Sequence, residues 1–139
     1  MIINKELLDT LTAQAKANPR LRQHYDLRNT PEDNSQRILN AMEPGTVLPI
    51  HRHRNSSETI VMLRGRGLWH YYDDEGNLTD TIEVSADGDI RGVSVPKGQW
   101  HNSEILASGT VILECKDGMF QPLDAKDILK LLQSEDLYY

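Results

Sequence analysis

The stretch Gly45-Thr46-Val47-Leu48-Pro49-Ile50-His51-Arg52-His53-Arg54-Asn55-Ser56-Ser57-Glu58, closed by Gly65 after the apolar run that follows, decides how the rest of the chain is read. His51 and His53 are two apart. In an extended segment residues i and i+2 point to the same side, so both imidazoles reach one point in space. The excursion Arg54-Asn55-Ser56-Ser57 is short, and a hairpin-like return after it brings the Glu58 carboxylate against the same point. His101 lies far downstream, after the turn Pro96-Lys97-Gly98, so only a folded sheet unites it with the other three. Neutral imidazoles plus one carboxylate suit a divalent transition metal (Mn, Fe, Co, Ni or Zn), whereas Ca and Mg prefer oxygen-only shells. On an ion that accepts six ligands, His51, His53, Glu58 and His101 leave two positions open for water, oxygen or the oxygen atoms of a substrate.

Outward from this stretch the chain reads as short strands: 37–43, 46–49, 58–64, 68–73, 78–84, 90–95, 101–106 and 110–116. Turn chemistry separates them, in Glu43-Pro44-Gly45, Asp74-Glu75-Gly76-Asn77, Ala86-Asp87-Gly88, Pro96-Lys97-Gly98 and Ser108-Gly109. That spacing favours an all-β sandwich or barrel over alternating strand and helix units. Ahead of the strands, Leu7, Leu11 and Ala15 recur at helical spacing over 4–17, and Asn18-Pro19 ends the helix. A polar connector is read over 19–35, and a short helix over 124–133 with Asp124 as its cap. The expected organisation is a helix and connector at 1–35, a β domain at 36–120 and a helical tail at 121–139. At 139 residues the chain has room for one compact domain. Its net charge of −6 argues against a sequence-blind nucleic-acid binder. No apolar run approaches the roughly 20 residues needed to cross a bilayer, and the N-terminus lacks a signal-peptide layout; the expectation is a cytoplasmic protein with no membrane partner. Cys115, the single cysteine, sits in the apolar run 111–115 and reads as a small buried hydrophobe, not a nucleophile.

The register Gly45, His51, His53, Glu58, Gly65 resembles the first motif of the cupin superfamily at every fixed position. The second cupin motif is matched at Pro96, Gly98 and His101; it departs at Ile105, where the pattern has Asn, and at Ile90, where it has Gly. Gln36-Arg37-Ile38-Leu39-Asn40-Ala41, Leu63-Arg64-Gly65, Pro96-x-Gly98-x-Trp100-His101 and Glu114-x-Lys116-Asp117-Gly118 extend the likeness, which looks like that of the small WbuC-type cupin metalloproteins of bacteria over residues 1–122. The resemblance implies a cupin jelly-roll β-barrel with an N-terminal helix, a short C-terminal helix and a metal held by His51, His53, Glu58 and His101. It also implies an association with surface-polysaccharide gene clusters, without fixing a reaction.

Charge is uneven along the chain. Arg52, Arg54, Arg64 and Arg66 stand against Glu58 alone over 50–70, which favours an anionic small-molecule ligand beside the metal. Residues 73–89 carry seven acids and no base, and read as a solvated hairpin. Strand parity puts Arg64 on the side of Glu58, Ile60 and Met62, so Arg64 is the expected substrate-binding cation. His70 and Tyr72 share a strand face and are the candidate catalytic proton-transfer groups. His24, and His70 in its bland reading, are ordinary solvated or hydrogen-bonded histidines. The function expected is a metal-dependent isomerase or epimerase of a small oxygenated, anionic metabolite such as a sugar derivative. The alternatives are an Fe(II)-dependent dioxygenase and a non-catalytic metal-dependent sensor or accessory protein. Sheet edges in so small a domain favour a homodimer.

Overall fold

Helix α1 (Lys5–Ala17) starts where the Asn4 side chain accepts a hydrogen bond from the Leu7 N–H (3.0 Å), and it ends at Asn18. In the computed structural model, which describes residues 1–129, ten strands follow it. They are β1 (Arg22–Asp26), β2 (Ser35–Met42), β3 (Ile50–His51), β4 (Glu58–Arg64), β5 (Arg66–Tyr72), β6 (Leu78–Ser85), β7 (Gly92–Val95), β8 (Trp100–Ile105), β9 (Thr110–Asp117) and β10 (Ile128–Leu129). One sheet has the order β1-β2-β9-β4-β7 and the other β10-β3-β8-β5-β6, every pairing antiparallel. No helix among the described residues is long and apolar enough to cross a membrane.

The central strands of the first sheet are covered on both faces, and their period-2 patterns show it. Leu39 and Ala41 of β2 and Val111 of β9 pack outward against Leu8, Leu11 and Ala15 of α1. Met42 and Ile112 turn inward with Ile60 and Met62 of β4, meeting Trp69, Val84 and Ile105 of the second sheet. Each such large apolar side chain contributes about 1.5–3 kcal/mol by leaving water. Gly65, at φ +92°, joins β4 to β5 so tightly that a Cβ there would lie 2.1 Å from Thr110 Oγ1. Only glycine fits that corner.

Three elements differ from the sequence reading. Within the expected connector, 22–26 forms the edge strand β1, whose ladder with β2 is built from backbone groups that a polar sequence does not reveal. Residues 46–49 form no strand. The Thr46 hydroxyl instead bonds the Leu21 and Glu43 carbonyls, Pro49 has no N–H to donate, and the ladder begins at Ile50. The expected helix over 124–133 is a 3-10 turn (Ala125–Asp127) followed by β10; Asp124 does cap the turn, through Lys126 N–H, but Ile128 then pairs across to His51. The rest of that expectation, 130–133, lies outside the described residues.

Candidate metal centre

β3, β4 and β8 bring the four expected ligands together. His51 ends β3 and stands in register with His101 of β8, His53 follows two residues on, and Glu58 opens β4. The turn at Pro96–Gln99 supports the loop from behind, where Gly98, at φ +78°, donates its N–H to the His53 carbonyl (2.9 Å). The imidazole centroids of His51 lie 4.4 Å from those of His101 and 5.0 Å from those of His53. Glu58 Oε2 is 3.2 Å from His53 Nε2 and 3.5 Å from His101 Nε2. One ligand atom from each of the four lies within 4.8 Å of all the others. Bonds of about 2.0–2.2 Å to one ion place such atoms roughly 3–4 Å apart, so a small closing movement completes the shell.

The donor set fits a metal on two further counts. His53 Nε2 and Glu58 Oε2 are buried with no hydrogen-bond partner, a costly arrangement that one shared cation relieves. His51 Nδ1 and His101 Nδ1 each lie 2.9 Å from a backbone carbonyl, of Pro49 and Gln99. A carbonyl only accepts, so both Nδ1 atoms carry a proton, which leaves Nε2 as the metal-binding nitrogen of each ring. Burial, reinforced by His101 and His53, holds His51 well below the usual imidazole value and keeps it neutral. Burial alone would raise the Glu58 carboxyl, but His101 and His53 outweigh it and hold the group well below the carboxylate range.

The ligands open into a cavity of about 810 Å³ between the two sheets, lined on one side by the segment 118–128. Asp127 fastens that segment. Its carboxylate accepts from Arg52 Nε (3.0 Å) and from Arg54 Nε, and its carbonyl accepts from the Arg52 N–H. Arg52 also stacks 4.4 Å over the Trp100 ring. Two of the four clustered arginines are thus beside the metal loop, as their charge implied, but a carboxylate of the same chain engages them.

Three expected site residues lie elsewhere. Arg64 does not face the cavity: its guanidinium donates to the Gly109 carbonyl (2.8 Å), to Asp9 (2.6 Å) and to Thr12 (3.0 Å), pinning α1 to the first sheet. A bulge between Met62 and Arg64 breaks the parity that placed it with Glu58. Trp69 fills the core, and His70 and Tyr72 stand one and three residues beyond it, so the period of the strand turns both to the outer face. There His70 meets Thr81 (2.9 Å) and Tyr72 donates to Asn102 (2.9 Å). Register instead places Tyr71 opposite His101. His24, read as an ordinary solvated histidine, lines the cavity across from Asn40. The sequence reading gave no role to Asn40, Glu114, Lys116 or Asp127. The signal for the first three is a polar side chain at every second position of otherwise apolar strands.

A family model described as a domain of unknown function, DUF6016, matches residues 3–84. The chain belongs to the DUF6016 family. The stretch of this DUF6016 protein that matches holds His51, His53 and Glu58 but ends before His101. No curated protein matches. Among solved structures, the fold is similar to the capsular polysaccharide assembling protein CapF from Staphylococcus aureus (TM-score 0.62, 26% identity, covering 81% of this chain and 32% of that one). It is also similar to KdgF from Halomonas sp. (0.57, 17%, 73% and 82%). A third likeness is to Bacillus subtilis oxalate decarboxylase, a protein with Mn(II) centres (0.56, 21%, 79% and 28%). The last two show the fold alone, and the chain spans about a third of the length of CapF. With these likenesses the two-sheet architecture is cupin-like, and the His51, His53, Glu58, His101 cluster is a candidate metal site within it.

Proposed function

We propose that this protein is a small cupin of the WbuC type that uses one divalent transition metal, Mn, Fe, Co, Ni or Zn, to bind and transform a small oxygenated anion such as a sugar derivative, by isomerisation or epimerisation. The observation that carries the reading is the convergence of four ligand atoms within 4.8 Å, two of them buried without a hydrogen bond, at the wall of an 810 Å³ cavity. His51, His53, Glu58 and His101 would hold the ion, which when bound supplies Lewis acidity to the oxygen atoms of a substrate. The Pro49 and Gln99 carbonyls fix the two buried imidazoles in the binding tautomer, and the segment 118–128 lines one side of the cavity. The likeness to CapF, a capsular polysaccharide assembling protein, and the WbuC-type sequence resemblance both support a sugar derivative as the substrate class. A homodimer belongs to the same proposal, because β1 and β7 leave open edges on the first sheet among the described residues.

The test is a panel of sugars, sugar phosphates and sugar acids, titrated against the Mn-, Fe- and Zn-loaded protein and followed by NMR for turnover. Metal-dependent conversion of a member of the panel supports the reading. Absence of both binding and turnover with every metal contradicts it, and oxygen uptake by the iron-loaded protein points to a dioxygenase instead.

A further inference from the structure

Across the cavity from the metal loop, the inner face of the first sheet carries polar groups that the fold does not require. Asn40 lies in register with Ile112 and Met62, Glu114 with Ile38 and Ile60, and Lys116 with Gln36 and Glu58. Asn40, Glu114 and Lys116 all line the cavity. Asn40 is 5% exposed; its Nδ2 donates to Glu114 Oε1 (3.3 Å), and its Oδ1 has no hydrogen-bond partner. Whichever way this amide is turned, one of its two polar atoms is left over, and a buried polar group without a hydrogen bond is costly. A hydroxyl, which both donates and accepts, satisfies either orientation. Glu114, the acceptor of the Asn40 bond, lines the same cavity and adds a carboxyl group to the wall. Lys116 stands between Gln36 and Glu58 yet makes no ion pair within 4 Å among the described residues. Its ammonium is the cation on this wall, whereas Arg52 and Arg54 are already engaged by Asp127.

We propose that Asn40, Glu114 and Lys116 form a recognition wall that selects a polyhydroxylated anion, with Asn40 and Glu114 reading hydroxyl groups and Lys116 the charged end. The wall rests on the metal reading, because it would present the remaining oxygen atoms of the ligand to the ion held opposite. A carboxylate and a phosphate share the chemistry that Lys116 recognises, and the choice of probes separates them.

The experiment measures calorimetric affinities of gluconate, glucose 6-phosphate, glucose and acetate for the protein loaded with Mn(II) or Zn(II), with metal content and thermal unfolding recorded for each variant. Gluconate or glucose 6-phosphate is expected to bind at least tenfold more tightly than glucose or acetate. Lys116→Gln should remove that advantage without changing glucose binding, whereas Asn40→Leu should weaken every polyol tenfold or more, each at wild-type metal content. Should Asn40→Leu fail to fold, Lys116→Gln, at a partly exposed position, decides the matter. Metal-loaded protein that binds neither polyol anion preferentially, or variants that bind like wild type, overturns the wall and leaves the metal centre standing. Protein that takes up no metal overturns both.

Discussion

At the scale of single residues, the strands of the first sheet carry two polar positions whose roles are opposite. Glu114 is partly buried, and its carboxyl, pushed up to about 7, holds in the folded protein a proton that the unfolded chain gives up near its ordinary value of 4.5. The folded state therefore binds more protons in this window, and stability falls as pH rises from about 4.5 to 7. Glu114→Gln removes the charge that burial disfavours. The variant should have a Tm about 3 °C or more above wild type at pH 8, with little difference at pH 5, both read by calorimetry. Arg64 faces the other way and is structural. Arg64→Met should lower Tm by about 3 °C through loosened attachment of α1, while metal content and ligand affinity stay at wild-type values. Loss of ligand affinity in that variant would return Arg64 to the site. Three of the candidate ligands, His51, His53 and Glu58, were legible because their chemistry and spacing are local signals, whereas His101 was legible only through the second motif, Pro96-x-Gly98-x-Trp100-His101. Arg64 was misplaced because parity counting assumes an unbroken ladder, and a one-residue bulge at Met62 reverses the face.

At the scale of elements, residues 124–129, where a helix was expected, form a turn and a short strand that strap the edge of the cavity to the second sheet. The shape of this strap follows from long-range partners: the Asp127 side chain is drawn to Arg52 and Arg54, and its carbonyl and Ile128 pair with the metal loop. Local propensity over 124–133 carries no trace of those partners, just as the polar sequence of β1 carries no trace of its ladder. Burial alone would raise the Asp127 carboxyl, but Arg54 and Arg52 outweigh it and hold the group below its usual value. The strap's contribution is therefore present above the ordinary carboxylate pKa and lost as pH falls through the lowered one. Asp127→Asn should destabilise the protein by about 1–3 kcal/mol at pH 7, and its stability should change less than that of wild type below about pH 4. Urea unfolding at both pH values checks this; an acid limb unchanged by the substitution would remove the strap's ionic fastening from the account. The central strands β4, β5, β8 and β9, in contrast, were legible almost to the residue, because alternating burial writes itself into sequence.

At the scale of the whole molecule, the acidic average of the chain conceals a division of labour. Residues 73–89 carry acids alone, whereas the cavity beside the four candidate ligands mixes Arg52, Arg54 and Lys116 with Glu114 and Asp127. A domain this small leaves sheet edges to be covered, and light scattering at micromolar concentration should give twice the mass of one 15.8 kDa chain; a sharp monomer mass would disprove the dimer. The central claim is that His51, His53, Glu58 and His101 share one transition-metal ion. Elemental analysis of wild-type protein and His101→Ala, both purified without added metal and then titrated with Mn, Fe, Co, Ni and Zn, tests it directly. Close to one bound ion per chain is expected in the wild type, with a loss of at least tenfold in affinity in His101→Ala. Wild-type protein that neither carries nor takes up a transition metal, or a variant that holds it as tightly, would contradict the account.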